Sequence, residues 1–201
     1  MSITPRQLEQ MQERLSATRR RPAPLLEPVQ RMTFAGQVIL GVDPSLRGTG
    51  YGVIGFSRSG PKALAHGTIS CPPAWPRSRC LVKIVQGLRE VLTRHKPSVC
   101  VVEGLFYAQN LQTALIMGEA RGAALATIAE AGLEIYELAP RKVKQAIIGY
   151  GAAQKAAVAK MVQRMLRLSE PPAPDAADAL ALALTHAQEN GRYSFTTPKK
   201  I

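Results

Sequence analysis

Val38-Ile39-Leu40-Gly41-Val42-Asp43 decides how this chain is read. An apolar run stops abruptly at a carboxylate. Pro44, Ser45 and a glycine-rich turn through Gly48 and Gly50 then lead into a second apolar run, Tyr51 to Phe56. The pattern is that of a buried strand with an acid at its C-terminal end, followed by a hairpin. An aspartate beside a core is costly unless it is paired, hydrogen-bonded or holding a cation. A turn-forming Asp next to proline would explain the residue equally well on its own. Three further acids beside apolar elements downstream change that balance.

Working outward, Val38–Asp43, Tyr51–Ser57 and Ala63–Ser70 read as three short strands in an antiparallel meander. After the Pro-rich stretch Cys71 to Pro76, Ser78 to His95 carries Leu81, Ile84, Val85, Leu88, Val91 and Leu92 on one helical face, and Pro97 ends it. Val99-Cys100-Val101-Val102-Glu103 is a second unbroken apolar run closing in an acid, the mark of a strand covered on both faces. A loop with Phe106 and Tyr107 precedes a long helix, Leu111 to Ala131, containing Gly118 and Gly122. Glu134 to Leu138 is a short strand. Helices follow at Arg141 to Ile148, Ala153 to Leu168 and Asp175 to Glu189. Hairpin strands first, then strands alternating with helices, predict one mixed α/β sheet with helices on its faces.

The flanks differ. Residues 1–36 hold one short amphipathic pattern (Leu8, Met11, Leu15), then Arg19 to Arg21 and three prolines, and read as a flexible N-terminal extension. Met32 is an alternative start. Residues 191–201 read as a basic C-terminal tail, which leaves 37–190 as the folded domain.

The chain has 201 residues, 46% of them hydrophobic, so a full core needs no disulfide or metal staple. A net charge of +12 favours a polyanionic partner, with plain solubility as the alternative. Nothing approaches the ~20 apolar residues of a spanning helix, so nucleic acid is expected rather than membrane. Three scattered cysteines and no secretory leader point to reduced thiols and a cytoplasmic protein.

Asp43 and Glu103 end apolar strands; Asp175 and Asp178 open the last helix at i and i+3, on one face. Helix capping and the helix dipole account for the second pair taken alone. They do not explain why a helix as apolar as Ala179 to Leu184 opens with both acids. If that helix packs on the sheet, all four carboxylates approach one another and repel. Divalent cations relieve the repulsion, and oxygen-only donors favour Mg2+ or Mn2+ over Zn2+. Two such ions about 3.5–4 Å apart support phosphodiester hydrolysis. No Ser/His/Asp set or Cys/His pair competes. His186, beyond Asp178 on the last helix, is the one histidine with a site nearby, and a surface position without a role is the plainer reading of it.

Gly41-Val42-Asp43-Pro44, Gly50-Tyr51-Gly52-Val53, Val102-Glu103, Ala120-Arg121-Gly122, Val143-Lys144-Gln145 and Asp175-Ala176-Ala177-Asp178-Ala179-Leu180 together resemble the RuvC family of Holliday junction resolvases, from about Val38 to about Gln188. The resemblance implies a ribonuclease H-like fold in which three antiparallel N-terminal strands open a mixed sheet with helices on both faces. It implies a homodimer that cuts four-way DNA junctions by symmetric paired nicks during recombination and repair. Mg2+ or Mn2+ is implied as cofactor, two ions per site, with the branch-migration proteins RuvA and RuvB as partners. By position, Asp43, Glu103, Asp175 and Asp178 correspond to the family's metal-binding catalytic acids. Phe106, Tyr107, Lys144, Lys155 and Arg121 correspond to positions expected at the DNA. A buried aromatic and solvated lysines are the bland alternatives for those positions. The long helix, with Gly118, Gly122, Ala123 and Ala126, is where the resemblance places the dimer contact. The chain departs from the family pattern at Ser45, where glycine is usual.

Three rival readings share parts of this pattern. An actin-like or sugar-kinase ATPase also opens with a strand, an Asp and a Gly-rich hairpin, but needs two such domains. A junction-binding protein without cleavage would not need all four acids. A ribonuclease H acting on RNA–DNA hybrid would differ only in substrate.

Overall fold

The computed structural model describes residues 36–57, 59–104, 110–190 and 199–201. Phe106 and Tyr107, residues 1–35 of the N-terminal extension and residues 191–198 lie outside them. Six strands form one sheet: β1 (Val38–Asp43), β2 (Gly48–Ser57), β3 (Gly60–Ser70), β4 (Val99–Glu103), β5 (Glu134–Leu138) and β6 (Lys199–Lys200), in the order β3-β2-β1-β4-β5-β6. The helices are α1 (Arg77–His95), α2 (Leu111–Glu130), α3 (Pro140–Ile148), α4 (Lys155–Leu166) and α5 (Pro174–Asn190).

β1, β2 and β3 run antiparallel; β4 lies parallel to β1 and β5 parallel to β4. β1 and β4 are therefore interior strands, and their unbroken apolar runs are the consequence of burial on both faces. Leu40, Val42, Cys100, Val102 and Ile135 pack against α1 and α2 on one face. Ile39, Val99, Val101 and Leu138 pack against α3, α4 and α5 on the other. This is the two-sided mixed sheet expected from the sequence.

Local chemistry sets the boundaries. α1 stops where Lys96 turns left-handed (φ 45°) and bonds back to Leu92, just before Pro97. Asn110 caps α2 by accepting from the Thr113 N–H at 2.8 Å. Pro140 opens α3, and Gly149 (φ 84°) closes it.

α5 shapes the site most. Its residues from Ala176 to Ala187 are almost all buried, as an all-round apolar helix requires. It lies against β1 and β2 at backbone distance: a Cβ on Gly41 would stand 1.9 Å from the Ala179 carbonyl oxygen, and one on Gly50 2.1 Å from that of Asp175. Glycine is needed at both positions because nothing larger leaves room for the helix.

Two differences from the expected layout have simple causes. β2 begins at Gly48 rather than Tyr51, because its first residues pair with β3 despite their poor strand propensity. Within the stretch read as a tail, Lys199 and Lys200 pair with Glu137 and Tyr136 and cover the β5 edge. Cys71, Cys80 and Cys100 are buried and unbridged. No helix among the described residues is long and apolar enough to cross a membrane.

Candidate active site

Parallel pairing of Val42 with Val102 puts Asp43 and Glu103 side by side at the C-terminal ends of β1 and β4. Both lie an even number of residues beyond Ile39 and Val99, so both side chains face α5. The two carboxyls act directly on each other, so each shifts the other's proton affinity. Burial, then the neighbouring Asp43 charge, pushes Glu103 up to about 8. Burial also raises Asp43, and the charges of Asp178 and Asp175 add to the effect. At neutral pH the strand ends thus hold a proton that isolated carboxyls would release.

Asp175 and Asp178 complete the group from above. α5 begins at Pro174, so Asp175 sits within its first turn rather than capping it, where the helix dipole favours negative charge. Its Oδ2 lies over Gly48 and its backbone over Gly50, the residue paired with Asp43. Asp178 accepts a 2.8 Å bond from Lys155 Nζ, and that bond is the main reason the Lys155 ammonium holds its proton more tightly than usual. Ser45, in the place of the usual glycine, fits without a positive φ. Thr49 Oγ1 donates to the Ser45 carbonyl at 2.6 Å and accepts from its N–H at 3.2 Å, closing the turn after Asp43.

The four acids gather at one end of the sheet. Among the described residues, however, no three acidic, histidine or cysteine side chains are spaced to grip one ion together. Lys155 pairs with Asp178 at the edge of the group. The donor chemistry does fit a hard divalent cation: every group is a carboxylate, and two are partly buried with excess negative charge around them.

The other residues singled out in the sequence are dispersed. Lys144 lines an open cleft of about 650 Å3 with Arg141, Gln145, Gly149 and Tyr150, the last 66% exposed. Arg121 points inward: it is 8% exposed and donates to the Glu103 backbone carbonyl and to Glu137 Oε2. His186 is 2% exposed, lies with its ring tilted 4.8 Å from that of Tyr136 and is pushed down to about 4 by burial, so it belongs to the α5 core. Glu137 escaped sequence reasoning. The signal was an acid inside a short strand otherwise suited to burial.

A protein-family model described as crossover junction endodeoxyribonuclease RuvC matches residues 39–186. A crossover junction endodeoxyribonuclease from Akkermansia muciniphila is 45% identical over 148 residues, 74% of this chain and 89% of that protein. Its counterpart from Alkalilimnicola ehrlichii is 44% identical over 151 residues, 75% and 91% respectively. Among solved structures, T. thermophilus RuvC in complex with a Holliday junction substrate is 36% identical, with a TM-score of 0.73, covering 82% of this chain and 99% of that one. The yeast mitochondrial Holliday junction resolvase Ydc2, 12% identical with a TM-score of 0.54 and covering 79% and 82%, shares the fold.

Proposed function

The chain belongs to the RuvC family of crossover junction endodeoxyribonucleases, and we propose that it resolves four-way DNA junctions by paired, symmetric phosphodiester cleavage during recombination and repair. The observation that carries this reading is the meeting of Asp43 and Glu103 at adjacent strand ends beneath the acidic first turns of α5.

Asp43, Glu103, Asp175 and Asp178 would hold the divalent metal of this nuclease family, two Mg2+ or Mn2+ ions in our reading. When bound, such ions make a water nucleophilic at neutral pH and take up charge on the leaving oxygen. The chain's own residues do the rest. Burial of Asp43 and Glu103 keeps bulk water from screening their charge. Lys155, 65% exposed, can leave Asp178 and turn its ammonium to a backbone phosphate. Lys144 and Arg141 beside Tyr150 offer further phosphate donors along one open cleft. Phe106 and Tyr107 follow Glu103 in sequence and are assigned to stacking on bases splayed near the crossover. Arg121, buried and bonded to the Glu103 carbonyl and to Glu137, is read as a support of Glu103.

A homodimer through α2 suits a two-fold junction. Leu111, Leu115, Gly118 and Gly122 fall on one exposed stripe of α2, with Leu111 76% and Leu115 57% exposed. A Cβ on either glycine would meet nothing within 4 Å, so a second helix could approach closely. RuvA and RuvB are assigned as partners, the protein to the cytoplasm, and residues 37–190 together with β6 to the nuclease domain. The test is incubation of the protein with a synthetic four-way junction and Mg2+, with product strands mapped on all arms. Paired nicks at symmetric positions on opposed strands support the proposal; equal cutting of linear duplex, or none of the junction, would sink it.

A further inference from the structure

Taking Glu103 as one of the metal-holding acids, we propose that Arg121 and Glu137 are positioning residues that fix the end of β4 and thereby aim the Glu103 carboxylate. Glu103 is the last residue of its strand, and the N–H of the next residue, Gly104, bonds to the Leu138 carbonyl at 2.9 Å. Strand ends fray unless something ties them. On the sheet face opposite the acids, α2 supplies that tie. The Arg121 guanidinium donates through Nη1 to the Glu103 backbone oxygen and through Nη2 to Glu137 Oε2.

Three features mark a built link. The Arg121 and Glu137 side chains are 10% and 27% exposed, too enclosed for either charge to stand alone without cost. A rigid planar fork holds a carbonyl and a carboxylate in one fixed plane, a geometry that a point-like ammonium on a flexible stem does not impose. Gly104 leaves room beside Glu137: a Cβ there would stand 3.2 Å from Glu137 Cγ. From the solvent side, Lys199 of β6 approaches the other Glu137 oxygen at 4.0 Å. Glu103 is therefore held by its backbone from one face while its carboxyl works on the other. Arg121 acts through Glu103 and touches no substrate.

The deciding variant is Arg121→Met/Glu137→Gln, which removes the link without stranding a buried charge; Glu103→Gln is the reference. The double variant should bind a four-way junction, with divalent ion withheld, within about two-fold of wild type, yet cleave it roughly 10–100-fold more slowly in single turnover. Added Mg2+ should raise its thermal midpoint less than that of wild type. Arg121→Lys, which keeps the charge and loses the planar fork, should regain part of the rate. Cleavage by the double variant at the wild-type rate overturns the proposal. So does junction affinity that falls in proportion to the rate, which would make Arg121 a DNA contact. A double variant that does not fold, with Glu137→Gln and Arg121→Lys both cutting normally, overturns it too. Normal cutting by Glu103→Gln would instead remove the active-site reading beneath it.

Discussion

Gly41→Ala is the most informative single perturbation, because one methyl group reaches both the stability of the fold and the geometry of the acids. The added Cβ would stand 1.9 Å from the Ala179 carbonyl oxygen and 3.2 Å from the Ala183 nitrogen. Both obstacles are backbone atoms of α5, so no side chain can swing aside. Restoring even a 3.0 Å contact moves the helix away from β1 by about 1.1 Å. Overpacking of this kind costs about 1–3 kcal/mol. For a domain of this size that lowers the thermal midpoint by roughly 2–4 °C per kcal/mol. The same shift carries Asp175 and Asp178 away from Asp43 and Glu103, and a displacement near 1 Å lowers catalysis by about 100-fold. The assays are a thermal melt and single-turnover cleavage of a four-way junction, with binding measured separately. We expect a lowered midpoint, near-normal binding and slow cutting. An unchanged midpoint together with wild-type cleavage would refute the claim that α5 rests on β1 at backbone distance and sets the acids' spacing.

Two other outcomes follow from the same geometry. Glu103 is raised to about 8 and Asp43 in the same direction, above the ordinary carboxylate values of the unfolded chain, so the folded state binds protons more tightly. Stability from this pair is therefore present at low pH and is lost as pH climbs from about 4.5 towards 8. Glu103→Gln, neutral at every pH, should raise the thermal midpoint at pH 8 and leave it unchanged near pH 4; an equal change at both values would contradict the raised pKa. On α2, Leu115→Glu places a charge on the exposed stripe. Sedimentation should show a shift from dimer to monomer with the melting profile of the monomer preserved; an unaltered dimer would move the interface elsewhere.

Much of this arrangement was legible in the residues, for definite reasons. β1 and β4 declared themselves because burial on both faces demands unbroken apolar runs, and a carboxylate ending such a run has few ordinary explanations. α5 was legible for the same reason, being apolar on every side. The start of β2 was not. Gly48 and Gly50 lower strand propensity locally, and their purpose, room for the first turn of α5, depends on an element more than a hundred residues later. β6 was hidden because two lysines carry no strand signal, and only the open β5 edge recruits them. Arg121 misled most. In sequence it is a basic residue in a family motif and reads as a DNA contact, whereas its acceptors, the Glu103 carbonyl and Glu137, are set by sheet register. His186 was noted for its nearness to Asp178 along α5, but helical rotation turns it into the core against Tyr136.

The central claim is that four carboxylates from distant segments form one metal-dependent site for cutting DNA. Asp43→Asn tests it most directly, since the change keeps the side chain's shape and removes its charge from the group. Measured on a synthetic four-way junction with Mg2+, the variant should bind like the parent protein and yield no nicked strands. Cleavage by Asp43→Asn at the parent rate would contradict the account.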